Sequence, residues 1–347
     1  MTADSTLVIA WLVLSHLAAD FVLQTGAIAR AKAASGGTGA RGLLVHGLIV
    51  AACLVPVVLA FGRQGWPVLI AVTVSHVVID WTKVVLTRRA EALALAEARR
   101  RHESAGTAPD GLGPAWTPMP AALFALDQLA HGLVLVVAWA AWLAQAPLDP
   151  AFVERVTALL AGWDPAEVHR FTGRAVVLAA LVIVNARAGA LFVAILVGPR
   201  LAVEGRPAAA GSKGTGAAPS AAVAVPALAQ PRSRGWTLRL GPLAGRAEPD
   251  AEPAVAAAVP RATESPTAPP ARVGEAIGIL ERLLVVTFVL VRAEAAIGLV
   301  IAAKTLARFR QLDDRDFAEY YLLGTLASVA LAAISAFVAV GALEAFA

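Results

Sequence analysis

Residues 67–86 read PVLIAVTVSHVVIDWTKVVL, an apolar stretch whose only ionisable side chains are His76, Asp80 and Lys83. As a helix rising about 1.5 Å per residue, it is long enough to cross a hydrocarbon core about 30 Å thick. An ionisable group in that environment costs about 2.5 kcal/mol or more unless it is paired, hydrated or bound, so it marks function by default. Three further stretches share the property: LVIAWLVLSHLAADFVLQ at 7–24, LLVHGLIVAACLVPVVLAF at 43–61 and ALFALDQLAHGLVLVVAWAAWL at 122–143. Three of the four carry a His and an Asp spaced i, i+4, as His16 and Asp20, His76 and Asp80, and Asp127 and His131. That spacing puts both groups on one helix face, one turn apart.

The order of the pair reverses in the last stretch, and so does the chain direction if successive helices form hairpins. Counted from the loop side, Asp20, Asp80 and Asp127 lie about 9 to 12 Å deep, and His16, His76 and His131 lie near the midplane. His46 joins the shallower layer from the second stretch. Gln24, Lys83 and Gln128 flank the set, with Lys83 close enough to Asp80 to pair with it or to orient an anion. These residues are expected to converge.

Composition fixes the class. The chain has 347 residues, 58% of them hydrophobic and 16% charged, with a mean hydropathy of +0.70. This excludes an ordinary soluble domain and points to an all-α polytopic transmembrane bundle. Seven spans are expected, at about 6–26, 42–61, 67–86, 121–144, 175–198, 276–301 and 320–342. Residues 201–273, rich in Pro, Ala and Gly, read as a disordered linker. The linker divides a five-span membrane domain, 1–200, from a two-span C-terminal hairpin, 274–347. Residues 87–119 read as a short surface helix ending before Pro114 and Pro118.

The first apolar run follows Met1–Ser5, which lack a basic segment, and contains His16 and Asp20, so it reads as a retained span. Arg30, Lys32, Arg41 and Arg88–Arg101 fall on one side, which becomes the cytoplasmic face; Arg63 falls on the other. Residues 302–319, with Lys304, Arg308, Arg310 and Arg315, then face outward and break the bias. Membrane lipids are the expected partners, and homo-oligomerisation stays open. The net charge of +4 is spread over loops without interleaved aromatics, which speaks against nucleic-acid binding.

The single cysteine, Cys53, excludes a thiolate cluster, so any metal is held by nitrogen and oxygen. His16, Asp20, His46, His76, Asp80, Asp127 and His131 suit a divalent zinc, manganese or iron ion. Asp20, Asp80, Asp127 and Lys83 are the candidate catalytic groups of a metal-dependent hydrolase acting on a lipid-linked or amphiphilic substrate. The same residues fit a proton- or metal-ion-coupled transporter, or a polar network in a non-catalytic scaffold. Asn185 and Arg187 offer a counter-charge if the fifth span packs against the cluster.

SHLAADFVLQT, His46, SHVVIDWTK and LDQLAH, with IGILERLLVVTFVL, AIGLVIAAKTLARF and AEYYLLGTLAS near the C-terminus, resemble the bacterial membrane family called domain of unknown function 3307. The resemblance covers spans one to four and the last two spans, and makes the linker an insertion. It implies a membrane helical fold and singles out Glu281, Arg282, Lys304, Arg308, Glu319, Tyr320, Gly324, Thr325 and Ser328. Glu319 and Tyr320 are expected to answer Lys304 and Arg308 across a hairpin turn. A looser similarity is to membrane-bound metal-dependent hydrolases with intramembrane His and Asp.

Overall fold

In a computed structural model, residues 4–104, 118–198, 238–240, 243–245 and 270–347 are described. Eleven α-helices appear among them: α1 (Ser5–Leu17), α2 (Gly26–Ala33), α3 (Gly36–Phe61), α4 (Gly65–Ser104), α5 (Met119–Ala138), α6 (Pro150–Leu159), α7 (Pro165–Ile183), α8 (Gly189–Val197), α9 (Pro270–Leu290), α10 (Ala296–Ala307) and α11 (Arg315–Glu344). Wider turns continue three of them, with π-helical turns at Ala18–Leu23 after α1, Trp139–Leu143 after α5 and Val184–Ala188 between α7 and α8. Most of 201–273 lies outside the described residues. Within it only a small antiparallel hairpin, Leu238–Leu240 against Leu243–Gly245, and the start of α9 are described.

Helix starts follow from side chains that satisfy free backbone N–H groups. Asp4, Thr25, Asp149, Asp164 and Asp314 each accept from an N–H of the first turn they precede, which is the usual role of short oxygen side chains at that position. Pro150 and Pro165 follow two of them at the first helical position, where no N–H is needed. Between α3 and α4 the chain reverses within Gly62–Gln64, and Gly62 adopts a φ of 55° that a side chain would oppose.

Five helical stretches are long and apolar enough to cross a membrane among the described residues: Ser5–Leu23, Gly36–Glu97, Met119–Leu143, Pro165–Val197 and Phe317–Glu344. The second is the α3–α4 pair. This is a helical membrane protein. Two apolar cores hold it together. Leu12, Val50, Leu54, Val57, Phe61, Val68, Val72, Leu135 and Leu143 join α1, α3, α4 and the α5 stretch. Val177, Leu181, Val285, Val289, Ala332, Ala336 and Phe346 join α7, α9 and the α11 end of the chain. Leu7 and Ala10 of α1 pack on the second core while Leu12 sits in the first, so α1 belongs to both. Ala332 and Ala336, both fully buried, let α9 and α11 approach closely, as small residues do between membrane helices.

Two expectations are overturned here. The surface helix expected within 87–119 is instead a continuation of α4, an unbroken helix of 40 residues. No proline or glycine interrupts the extension before Ser104, and Ala, Arg and Glu dominate it. The sixth expected span, 276–301, is two helices, because α9 stops at Leu290 and Arg292 takes a φ of 59° in the turn that follows.

Past that turn α10 runs back along α9, bringing Lys304 Nζ to 2.6 Å from Glu281. Then α11 runs parallel to α9, with Arg282 beside Ser328 at one level and Arg292 beside Glu344 at another. The C-terminal part is therefore not a two-span hairpin. With 12 residues, α10 is about 18 Å long, short of a full crossing.

This fold-back removes the charge conflict. Gly324 near the start of α11 faces Val197 at the end of α8, and Phe192 of α8 faces Phe124 at the start of α5. Residues 308–314 thus lie at the same end as Arg30, Arg41 and Arg88. Arg63, Arg155, Arg170, Arg174 and Arg292 stand at the other end, so the bias is one of degree. In a Cys53→Ser background, Asp313→Cys and Glu91→Cys should react with a membrane-impermeant thiol reagent from the same side, and Gln64→Cys from the opposite side. Labelling of Asp313→Cys together with Gln64→Cys would refute the fold-back.

Candidate metal centre

All seven expected residues come to one place. The ring centroids of His16, His76 and His131 lie 4.1 to 5.4 Å apart, and His46 lies 5.0 Å from His76. All four imidazoles are buried, His46 completely. Close approach of α3 and α4 makes this possible. A Cβ on Gly47, the neighbour of His46, would meet Val77 Cγ2, next to His76, at 2.8 Å. Any side chain at 47 would force the Val77 side chain to shift.

Asp20 arrives from the π-helical turn that ends α1, a distortion that often occurs at functional sites. Its Oδ1 lies 3.1 Å from the Nε2 atoms of both His46 and His76, and those two Nε2 atoms lie 3.0 Å from each other. Asp80 Oδ2 lies 3.4 Å from His46 Nε2 and 3.6 Å from His76 Nε2. Five edges of a four-atom figure are thus 3.0 to 3.6 Å. A tetrahedral zinc ion with bonds of about 2.0 to 2.1 Å separates its ligand atoms by roughly 3.3 Å.

The remaining groups line the same space. His131 Nδ1 donates to the Asp127 carbonyl at 2.8 Å, leaving the Nε2 lone pair buried and without a partner. Such a bond fixes the tautomer and presents the other nitrogen as a ligand. His16 Nε2 donates to Gln128 Oε1 at 3.3 Å. Asp127 Oδ2 accepts from Lys83 at 2.7 Å and from Gln128 at 3.0 Å, while its buried Oδ1 has no partner. Ligand atoms of His16, Asp20 and His131, and of His76, Asp80 and His131, likewise fall within 4.8 Å of one another.

One member was missed in the sequence. Lys32, read there only as a loop charge, is 8% exposed and bonds Asp80 Oδ2 and, at 2.7 Å, Gln24 Oε1. The only local sign is the break at Thr25–Gly26, where Thr25 caps α2 and turns the chain back over the site. Asn185 and Arg187 do not join the cluster. Asn185 bonds Ser335 of α11, and Arg187 lies outside the seven clustered side chains, exposed on the π-helical turn. Cys53 packs against the first apolar core.

The C-terminal residues form their own network. Lys304 pairs with Glu281, Arg308 bonds Gln311, and Arg315 pairs with Glu319, so Glu319 does not answer Lys304 as expected. The guanidinium of Arg282, buried, donates to the Asn185 carbonyl at 2.6 Å and to Ser328 at 3.2 Å. The π-helical turn at Val184–Ala188 contains that carbonyl.

Residues 8–159 match the family model described as protein of unknown function DUF3307. That stretch is a DUF3307 domain. It contains the seven clustered residues together with Lys32, Lys83, Gln24 and Gln128. No curated protein and no solved structure matches the chain.

If the DUF3307 domain holds a metal through His46, His76, Asp20 and Asp80, His46→Ala or Asp20→Asn should lower zinc affinity at least about 100-fold. His169→Ala, at the far end beside Asp4, should leave it unchanged. Equilibrium dialysis of the detergent-solubilised chain measures both.

Proposed function

We propose that this is a bacterial inner-membrane protein whose DUF3307 domain binds a divalent zinc, manganese or iron ion and hydrolyses a lipid-linked or amphiphilic substrate at the cytoplasmic face. The observation that carries the proposal is that His46 Nε2 and His76 Nε2, 3.0 Å apart, both stand 3.1 Å from Asp20 Oδ1 and 3.4 to 3.6 Å from Asp80 Oδ2. Hydrogen bonds serve the carboxylates, since Lys32 donates to Asp80 Oδ2 and the ring nitrogens can donate to Asp20 Oδ1, but they leave two like donors facing each other at 3.0 Å. A cation held by Asp20, His46 and His76 removes that conflict.

A bound divalent ion would bring a water molecule to a pKa near 7, supplying hydroxide at neutral pH. The chain's own groups complete the chemistry. Asp127 Oδ1 and His131 Nε2, buried and unpartnered, can take the proton of the attacking water and return it to the leaving oxygen. In balance, the water oxygen bonds to the acyl or phosphoryl centre, the ester bond breaks, and the proton leaves with the alcohol. Lys83, held on Asp127 and over the Phe124 ring, orients an anion.

A proton- or metal-ion-coupled transporter is the second reading. The π-helical turns at Ala18–Leu23 and Val184–Ala188 favour it, because interrupted helices often line transport sites. A scaffold is the third. The deciding comparison is His76→Ala and Asp80→Asn against wild type, reading bound metal, thermal stability and ester hydrolysis. Loss of metal and a drop in hydrolysis of about 100-fold or more, with the fold retained, is the expected result. Metal flux into proteoliposomes without hydrolysis points to transport. Lost stability in protein that never held metal points to a scaffold.

A further inference from the structure

A buried guanidinium needs a counter-charge, and Arg282 of α9 has no carboxylate bonded to it among the described residues. The side chain is 3% exposed, and arginine stays protonated even there. Its Nε and Nη1 donate to neutral oxygens, the Asn185 carbonyl and the Ser328 hydroxyl, while its Nη2 is buried without a partner. Neutral oxygens satisfy N–H groups but do not cancel a charge. The seat itself is built, because a Cβ on Gly189 at the start of α8 would lie 3.1 Å from Arg282 Nε.

The neighbouring carboxylates are engaged or remote. Glu281 is bonded to Lys304 at 2.6 Å, and that pair sums to zero charge wherever its proton sits. Glu275, two turns back on α9, is exposed. The junction of α9, α10 and α11 therefore holds one unmatched positive charge away from water, which is costly unless an anion joins it.

There is a space for one. Beside Arg282 the three helices leave a cavity of about 10 Å³, room for a single water-sized guest. Arg282, Thr325 and Ser328 form its polar wall, valine and isoleucine side chains form the apolar one, and the part-exposed Glu281–Lys304 pair borders it. Thr325 Oγ1, like Arg282 Nη2, is buried without a partner. Two donors lacking acceptors thus belong to one small cavity, and phosphate or a carboxylic acid is too large to enter it.

From the unmatched charge, the idle donors and this space, we infer that the junction binds one small monatomic anion, chloride being the abundant one. The inference is independent of the metal reading. Chloride accepts from Arg282 and Thr325 and cancels the charge; a water molecule would serve the same donors and leave the charge in place. The ion also ties down α10, a helix with no buried residue of its own, whose other polar links are Lys304 to Glu281 and Thr305 to Tyr321.

Thermal unfolding of the full chain in detergent tests this, with sodium chloride or sodium bromide replacing sodium gluconate at constant ionic strength. Gluconate is too large for the cavity. Wild type should be stabilised progressively as either halide replaces it. Thr325→Val, which keeps the shape and removes the donor, should bind halide about tenfold or more weakly. Arg282→Met should lose the halide response, and Thr325→Val alone decides if that variant does not fold. Arg310→Gln, at an exposed position, should respond as wild type does.

Bulk salt effects act on every variant alike, so the comparison between variants reads the site. Equal melting in all three salts leaves only a water in the cavity and overturns the inference. A halide response that Thr325→Val leaves unchanged places the ion elsewhere and overturns it too.

Discussion

A carboxylate cannot face hydrocarbon, and this chain places one on each of three neighbouring apolar helices. Each costs several kcal/mol if buried alone, whereas an ordinary hydrogen bond between membrane helices contributes only about 0.6 kcal/mol. The carboxylates therefore dictate the packing. The α1 stretch, α4 and α5 must meet where Asp20, Asp80 and Asp127 can find cations or N–H donors. They do so around the four imidazoles, with Lys32 and Lys83 as built-in counter-ions. The apolar core of Leu12, Leu54, Val68 and Leu135 then fills the rest of the same interface, and Gly47 sets how closely α3 can approach.

The second half is arranged around a different buried charge. Arg282 has no carboxylate on it among the described residues, and is met instead by a backbone carbonyl and a serine hydroxyl. That carbonyl belongs to Asn185, within the π-helical turn where the regular ladder of backbone bonds is interrupted. A local irregularity in one helix thereby supplies an acceptor to a cation on another. Because α1 contributes to both apolar cores, the DUF3307 domain and the C-terminal helices share a wall rather than meeting through the segment between them.

What could be read in the sequence was whatever repeats with the helical period. The i, i+4 pairs of His16 with Asp20, His76 with Asp80 and Asp127 with His131 fix a face and a depth, and those positions converge in three dimensions. Lys32 has no such partner. Its place depends on a change of chain direction at Thr25–Gly26 and on the close seat offered by Gly39 and Gly42, neither of which leaves a periodic trace. The break after Leu290 was hidden for the opposite reason. Residues 276–301 are apolar on both sides of the turn, and hydropathy cannot tell one long helix from two short ones folded together. The charges carried the clue, since Lys304, Arg308 and Arg310 lay on the wrong face until the chain was bent back.

At 40 residues and about 60 Å, α4 is twice as long as the membrane requires. One continuous helix carries His76, Asp80 and Lys83 at one level and the exposed Arg99 and Arg100 well beyond the headgroups at another. Such a rod tilts as a unit. A few degrees of lean imposed at its outer end shifts the inner residues by tenths of an ångström, enough to open or tighten a cage whose atoms stand 3.0 to 3.6 Å apart.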